Sequence, residues 1–315
     1  MSSHRFVDIG ANLLDERFML GEYRGKQRHE PDFDRVVERA AKVGMRHMIL
    51  TAGTLGDSRA ALAKIRQLRE TTGSNAAGSS CQLHCTVGVH PTRSGEFEEA
   101  DDGEARVQAL IDLAKDGMAD GVVVSVGEMG LDYDRLAFCA KDVQLKWIRR
   151  QLRLAKETGL PLFLHNRNVS TDLYDILLEH RDQWTSGVVH SFDDTLDLAN
   201  KFMDLGLYIG LNGCSLRTQE SLNVVRYLPL DHILIETDCP YCDVKRTHAG
   251  YQYVKTVFDT VDEKKFKNGV QVKGRNEPCN IIQVAEVIAG CKGIDVTEVT
   301  EACYQNSLRL YGWKE

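Results

Sequence analysis

Four short segments, spread over more than a hundred residues, each finish a strand-like apolar run with a side chain that can hold a metal ion. VVVSVGE ends at Glu128, LPLFLH at His165, SGVVH at His190 and HILIETD at Asp238. A divalent ion of hard or borderline character binds carboxylate oxygens and neutral imidazole nitrogens from several directions, and these four residues supply that mixture. Each alone has a plainer explanation: a strand-end histidine is commonly a hydrogen-bonded core residue, and Glu128 or Asp238 could cap a turn. For all four at once the plainer explanations must coincide. In a parallel barrel such strand ends converge on one rim, which is the case for a metal-dependent hydrolase.

The elements that must position these residues alternate along the chain. HRFVDIG precedes FDRVVERAAKVG, whose apolar residues recur at helical spacing and which closes at Gly44; RHMILTA precedes DSRAALAKIRQLRE, and LHCTVGVH precedes EARVQALIDLAKDG,. VVVSVGE, PLFLH, GVVHSF, LYIGLNG and HILIETD continue the series, each followed by a helix-like segment. Short Val/Ile-rich runs separated by helices read as parallel strands buried on both faces. Eight strand and helix pairs predict an α/β fold, a (β/α)8 TIM barrel forming a single domain over residues 1–315,. An open doubly wound sheet is the competing architecture, but it has fewer strands and places its ligand at a switch point. GSNAAGSSCQ reads as a surface loop before the third strand, and residues 239–278 as a long insertion between the last strand and its helix, on the catalytic face,.

Composition sets the outer limits. Hydrophobic content of 43% suffices for a core, and no run approaches the roughly 18 to 20 apolar residues that a bilayer requires. The opening MSSHRFVDIGANLL is broken by Arg5, Asp8 and Asn12 and does not resemble a signal peptide, so a cytoplasmic or nuclear location is expected,. Nine cysteines form no repeating framework, and Cys85, Cys214 and Cys291 lie in apolar segments, as reduced structural thiols do,. Cys239-Pro240-Tyr241-Cys242 resembles the redox motif of glutaredoxins, but it follows a strand and runs into a polar loop, which predicts local loop chemistry,. A net charge of -7 argues against binding nucleic acid through bulk positive potential and leaves a nuclease open,. The basic runs Arg24, Lys26 and Arg28; Lys146, Arg149, Arg150 and Arg153; and Lys264, Lys265 and Lys267 read as solvated faces,.

The surrounding residues add a resemblance. GVHPTR at 88–93, GEMGLDYDR at 127–135, LHNRN at 164–168, VVHSFD at 188–193, ETDCPY at 236–241 and RNEP at 275–278 are similar to the signatures of the TatD-type deoxyribonucleases. These form a branch of the metal-dependent hydrolases on the (β/α)8 barrel. DIGANL at 8–13 and YRGKQRH at 23–29 resemble its eukaryotic members in particular, and the similarity runs from about residue 6 to residue 310. It implies that Glu128 bridges or anchors the metal, that His165 and His190 bind through imidazole nitrogen, and that Asp238 binds metal and orients or deprotonates the attacking water. His90 and Asp132 occupy matching strand-end positions beside the site and are candidates to meet the substrate phosphate. Arg167, two residues after His165, would point to the same side on a continuing strand and reach a phosphate, as would Lys245, Arg246 and His248 in the loop after Asp238,.

One departure bears on the metal. Many members of the superfamily carry His-x-His at the end of the first strand, where this chain has Gly10 and Asn12. An ion that depended on that pair should bind loosely or take oxygen from the substrate phosphate, so one or two ions are expected, Mg²⁺ first, with Mn²⁺ or Zn²⁺ as alternatives. The function implied is metal-dependent hydrolysis of DNA phosphodiester bonds, as a 3'-5' exonuclease with DNA as partner and no membrane. The alternatives are an aminoacyl-tRNA ester deacylase or a small-molecule amidohydrolase on the same barrel.

Overall fold

A computed structural model describes residues 4–72, 81–99 and 102–314. Eight strands follow one another as the apolar runs predict: β1 Phe6–Ala11, β2 Met45–Leu50, β3 Gln82–Val87, β4 Val123–Asp132, β5 Leu162–Arg167, β6 Gly187–His190, β7 Leu207–Leu211 and β8 Ile233–Ile235. They join one eight-stranded sheet in sequence order. Each is followed by a helix: α1 Phe33–Val43, α2 Leu55–Thr72, α3 Gly103–Ala119, α4 Lys141–Thr158, α5 Asp172–Glu179, α6 Leu196–Asp204, α7 Gln219–Tyr227 and α8 Ile281–Lys292, with α9 Val296–Tyr311 closing the chain. The fold class is that of the (β/α)8 TIM barrel,. Of the expected loop GSNAAGSSCQ, residues 73–80 lie outside the described residues, while Cys81 is buried and Gln82 opens β3. No helix among the described residues is long and apolar enough to cross a membrane.

The chain divides into two compact units, each discontinuous in sequence: Met1–Leu50, Leu68–Leu83 and Leu211–Ser307 in one, Thr51–Gln67, His84–Gly210 and Leu308–Glu315 in the other. In the second unit β3 to β7 pair parallel along Val- and Leu-rich edges, with His165 opposite His190. In the first unit β1 pairs parallel with β2, and β8 is short. Its three residues end before Glu236, so Asp238 lies beyond the strand and not at its tip, in a turn where its φ is 49°. Asp238 N–H donates to the Gly10 carbonyl at 2.8 Å and Asn12 N–H to the Cys239 carbonyl at 2.8 Å, which laces this turn to the end of β1.

The insertion after β8 is anchored by charge. Arg275, wholly buried, donates from both terminal nitrogens to the Asp32 carboxylate at 2.7 Å each and to Glu277 at 2.9 Å, with its guanidinium over the Phe18 ring at 4.6 Å. Arg39 on α1 meets the other side of Glu277 at 2.7 and 3.1 Å. Two guanidiniums and two carboxylates leave no net charge in a place where an unpaired ion would be very costly. Asn276, between the charged pair, donates to the carbonyls of Thr237 at 2.9 Å and Tyr241 at 2.8 Å, so the anchored segment also grips the turn that carries Asp238. Replacing Glu277 by Ala leaves two buried guanidiniums to share the one Asp32 carboxylate and should lower the unfolding free energy by about 3–5 kcal/mol,. Urea titration measures it, and a loss under about 1 kcal/mol would show the quartet to be dispensable.

Candidate metal centre

Glu128 sits where β4 leaves regular pairing. Val126 pairs with Leu162 and Met129 with Leu164, so β4 carries one extra residue against β5 between those rungs,. Gly127 at φ 147° and Gly130 at φ 148° flank Glu128 on either side, and a Cβ on either would come within 2.2 Å of the Phe163 carbonyl oxygen or 2.0 Å of that of His165. Only glycine permits so close an approach. The bulge turns Glu128 into the site without ending the strand, which runs on to Asp132 opposite Arg167. Sequence reading placed the end of the run at Glu128; the structure places Glu128 mid-strand and Asp132 at the tip.

One carboxylate oxygen gathers three imidazoles. Glu128 Oε1 lies 2.8 Å from His165 Nδ1, 2.7 Å from His190 Nε2 and 3.4 Å from His90 Nε2. His165 meets a second carboxylate through its other nitrogen, with Nε2 3.2 Å from Asp132 Oδ2. The remaining oxygen of Asp132 is buried and has no hydrogen-bond partner among the described residues. Gln144 on α4 holds this residue by its backbone, accepting from Asp132 N–H at 2.8 Å and donating to its carbonyl at 2.9 Å. The His190 ring stacks on Phe163, centroids 4.5 Å apart.

His90 differs from the other two histidines. Its Nδ1 accepts the backbone N–H of Thr92 at 3.1 Å, so the neutral ring carries its proton on Nε2, facing Glu128,. Its ligand atom lies within 4.8 Å of those of Glu128 and His165, a grouping able to hold a metal ion. Burial also holds the His90 imidazole below its ordinary range, against the pull of Glu128.

The charges balance tightly. Burial works to raise the Glu128 carboxyl, but the charges of His190 and His90 and the hydrogen bonds from His165 and His190 outweigh it and hold it well below the usual range. For His165, burial works to lower the imidazole, and the Asp132 and Glu128 carboxylates more than reverse it, so it titrates above its ordinary value. Below that raised value both of its nitrogens carry protons while they face carboxylates. A cation fits this arrangement because it can take the place of such a proton, and because the orphaned Asp132 oxygen awaits a positive partner,.

Arg167, expected to reach a phosphate, instead spends its NH1 on Asp193 Oδ2 at 2.7 Å. The basic run on α4 is a solvated face paired with acids, Lys146 with Glu98, Arg149 with Glu179, and Arg150 and Arg153 with Glu104.

In the other unit Asp238 is held by two donors. Asn12 Nδ2 reaches its Oδ1 at 2.8 Å and the Cys242 thiol its Oδ2 at 3.1 Å. Asn12 thus has a place that its residue type alone did not disclose: it orients Asp238. The turn is further fixed by Asp8, which accepts from Thr237 N–H at 2.9 Å and Gly10 N–H at 3.2 Å; burial pushes its carboxyl up to about 8. Lys245 and Arg246 are exposed, and His248 caps their turn, its Nδ1 accepting Lys245 N–H at 3.3 Å. Burial, with Arg217 and Lys245 nearby, holds His248 below its ordinary value.

Residues 7–312 match the family model described as TatD related DNase. The chain belongs to the TatD-related DNase family. It is 41% identical to the deoxyribonuclease Tat-D of Schizosaccharomyces pombe over 314 residues, 98% of this chain and 96% of that protein. With a 3'-5' ssDNA/RNA exonuclease TatD of Citrobacter rodentium it shares 30% identity over 97% of each. The crystal structure of a TatD family hydrolase from Entamoeba histolytica superposes with a TM-score of 0.90 at 36% identity, covering all of both chains. The TatD motif strings divide accordingly: GEMGLDYDR, LHNRN and VVHSFD build the Glu128 cluster, while ETDCPY and RNEP build the Asp238 turn.

The raised His165 value sets a pH dependence. In the metal-free protein its ion pairs contribute stability that is complete below the unfolded value of about 6.5 and is lost as pH rises through the raised folded value,. An ion bound to His165 needs the neutral ring, so below that raised value binding should release about one proton per ion and weaken as pH falls. Calorimetry in buffers of different ionisation enthalpy reads the proton count. Pure binding with no proton release below about pH 6.5, the ordinary imidazole value, would contradict the assignment of His165.

Proposed function

We propose that the protein is a divalent-metal-dependent deoxyribonuclease that hydrolyses phosphodiester bonds of DNA, working as a 3'-5' exonuclease. The observation that carries this reading is the partly buried Glu128 oxygen ringed by imidazoles, beside an Asp132 oxygen with no hydrogen-bond partner among the described residues, in a chain of the TatD-related DNase family. Glu128, His165 and His190 are the ligand set we assign, with Asp238 as the further ligand and water-orienting carboxylate that cleavage requires. When bound, the divalent ion lowers the pKa of water and compensates charge on the phosphate oxygens; we expect Mg²⁺ in use, with Mn²⁺ or Zn²⁺ able to replace it.

The chain's own groups do the rest. His90 offers its Nε2 proton, and Asp132 fixes the ring plane of His165. Asn12 and Cys242 fix the Asp238 carboxylate. Lys245 and Arg246, exposed, are the phosphate contacts, and Arg167 contributes less because Asp193 already neutralises it,. We read residues 1–315 as one domain with 239–278 as its insertion. We place the activity in the cytoplasm or nucleus, a setting in keeping with nine cysteines that are all free in the structure,.

The test is chelator-stripped protein restored with Mg²⁺, Mn²⁺ or Zn²⁺ and given end-labelled single- and double-stranded DNA beside an aminoacyl-ester and an amide panel. Cleavage from the 3' end that returns with metal supports the reading. Glu128→Ala and Asp238→Ala should each lower kcat at least ~100-fold with the fold intact, since loss of a metal-site group commonly costs that order. Turnover of the ester or amide panel without DNA cleavage would overturn it.

A further inference from the structure

Of the nine cysteines, seven are buried and two are half-buried, and those two touch each other. Cys214 Sγ and Cys242 Sγ are 2.7 Å apart. Cys239, the other cysteine of the CPYC string, is wholly buried, and the sulfur that Cys242 touches is that of Cys214. The partner of Cys242 comes instead from the turn after β7. Both backbones are held in this approach: Asn212 caps the turn by accepting Cys214 N–H at 2.8 Å. A Cβ on Gly213 would lie 2.0 Å from the Cys242 carbonyl oxygen. Cys242, at φ 48°, ends a turn that Asn276 clasps through Tyr241.

We infer that Cys214 and Cys242 form a reversible dithiol–disulfide couple, and that its closure removes the S–H donor from Asp238. The oxidant class is a peroxide. The Cys214 sulfur attacks one peroxide oxygen, giving a sulfenic acid and water; the Cys242 sulfur then displaces that oxygen as a second water. In sum two thiols and one hydrogen peroxide give one disulfide and two waters, with both thiol protons leaving in the water. Sulfurs already in contact need only a small approach to reach bonding distance, about 2.0 Å. In the reduced form the Cys242 thiol donates to Asp238 Oδ2 at 3.1 Å, and the disulfide sulfur has no proton with which to do so. Asp238 is then left with Asn12 as its side-chain donor among these contacts. The link to activity, though not the couple itself, rests on the proposed nuclease reading.

The test begins with the purified, reduced full-length protein, treated with hydrogen peroxide, blocked with N-ethylmaleimide and digested with trypsin without reduction. The expected product joins the peptides 202–217 and 227–245, two hydrogens lighter than their sum, with fragmentation placing the link at Cys242 and not Cys239. Dithiothreitol should reverse it, and Cys214→Ser should abolish it. Nine labelled thiols after oxidation, or a link through Cys239, would overturn the couple. In parallel, oxidised wild type should lose at least ~10-fold in metal-dependent DNA cleavage and regain it with dithiothreitol, while Cys214→Ser keeps full cleavage under both conditions. A linked pair with unchanged cleavage would overturn the control of Asp238. Absence of cleavage in every form would fault the nuclease reading and leave the thiol count standing.

Discussion

Glu128 carries a negative charge into a partly buried cluster, and the surrounding structure has to compensate it. Moving a carboxylate out of water costs several kcal/mol unless charge and hydrogen bonds return the loss. Here one oxygen takes His165 and His190 at 2.8 and 2.7 Å and His90 at 3.4 Å, and Asp132 stands behind His165. The backbone follows from that demand. The extra residue in β4, with glycine on both sides of it, aims Glu128 inward, and β5 and β6 set His165 and His190 on paired rungs. A cluster with protons caught between imidazole and carboxylate is also one from which a divalent ion can displace protons.

The Asp238 turn meets a comparable demand by hydrogen bonding. Asp238 is beyond its strand, so besides its backbone bond to Gly10 of β1 it is oriented by Asn12, Cys242, Thr237 with Asp8, and Asn276. Asn276 can do so because its neighbours Arg275 and Glu277 are locked into a buried quartet with Asp32 and Arg39. Charge pairing far from the turn therefore fixes the placement of a carboxylate within it. Positioning groups of this kind tune a site nearly as strongly as the groups that touch substrate.

The alternation of apolar runs and amphipathic segments disclosed all eight strand and helix pairs, because parallel strands covered on both faces must read as unbroken Val and Ile. Glu128, His165 and His190 were legible as polar interruptions of those runs. What escaped was set by contacts distant in sequence. A bulge breaks the two-residue period, so Glu128 looked like the strand end and Asp132 like its neighbour. Arg275 and Glu277 stood out only as part of the RNEP string, and their pairing with Asp32 and Arg39, more than two hundred residues away, had no signal in the sequence. The CPYC spacing drew attention to Cys239, whereas Cys242 meets a thiol 28 residues upstream. For Arg167 no spacing rule foretold Asp193 beside it.

The central claim is that the Glu128 cluster is a metal centre, and anomalous diffraction from crystals soaked in Mn²⁺ tests it most directly. The account predicts an anomalous peak at bonding distance, about 2.0 to 2.4 Å, from Glu128 and His165 in the wild type, absent from Glu128→Gln crystals of the same form. A peak elsewhere in the protein, or an unfilled cluster at saturating metal, would contradict it.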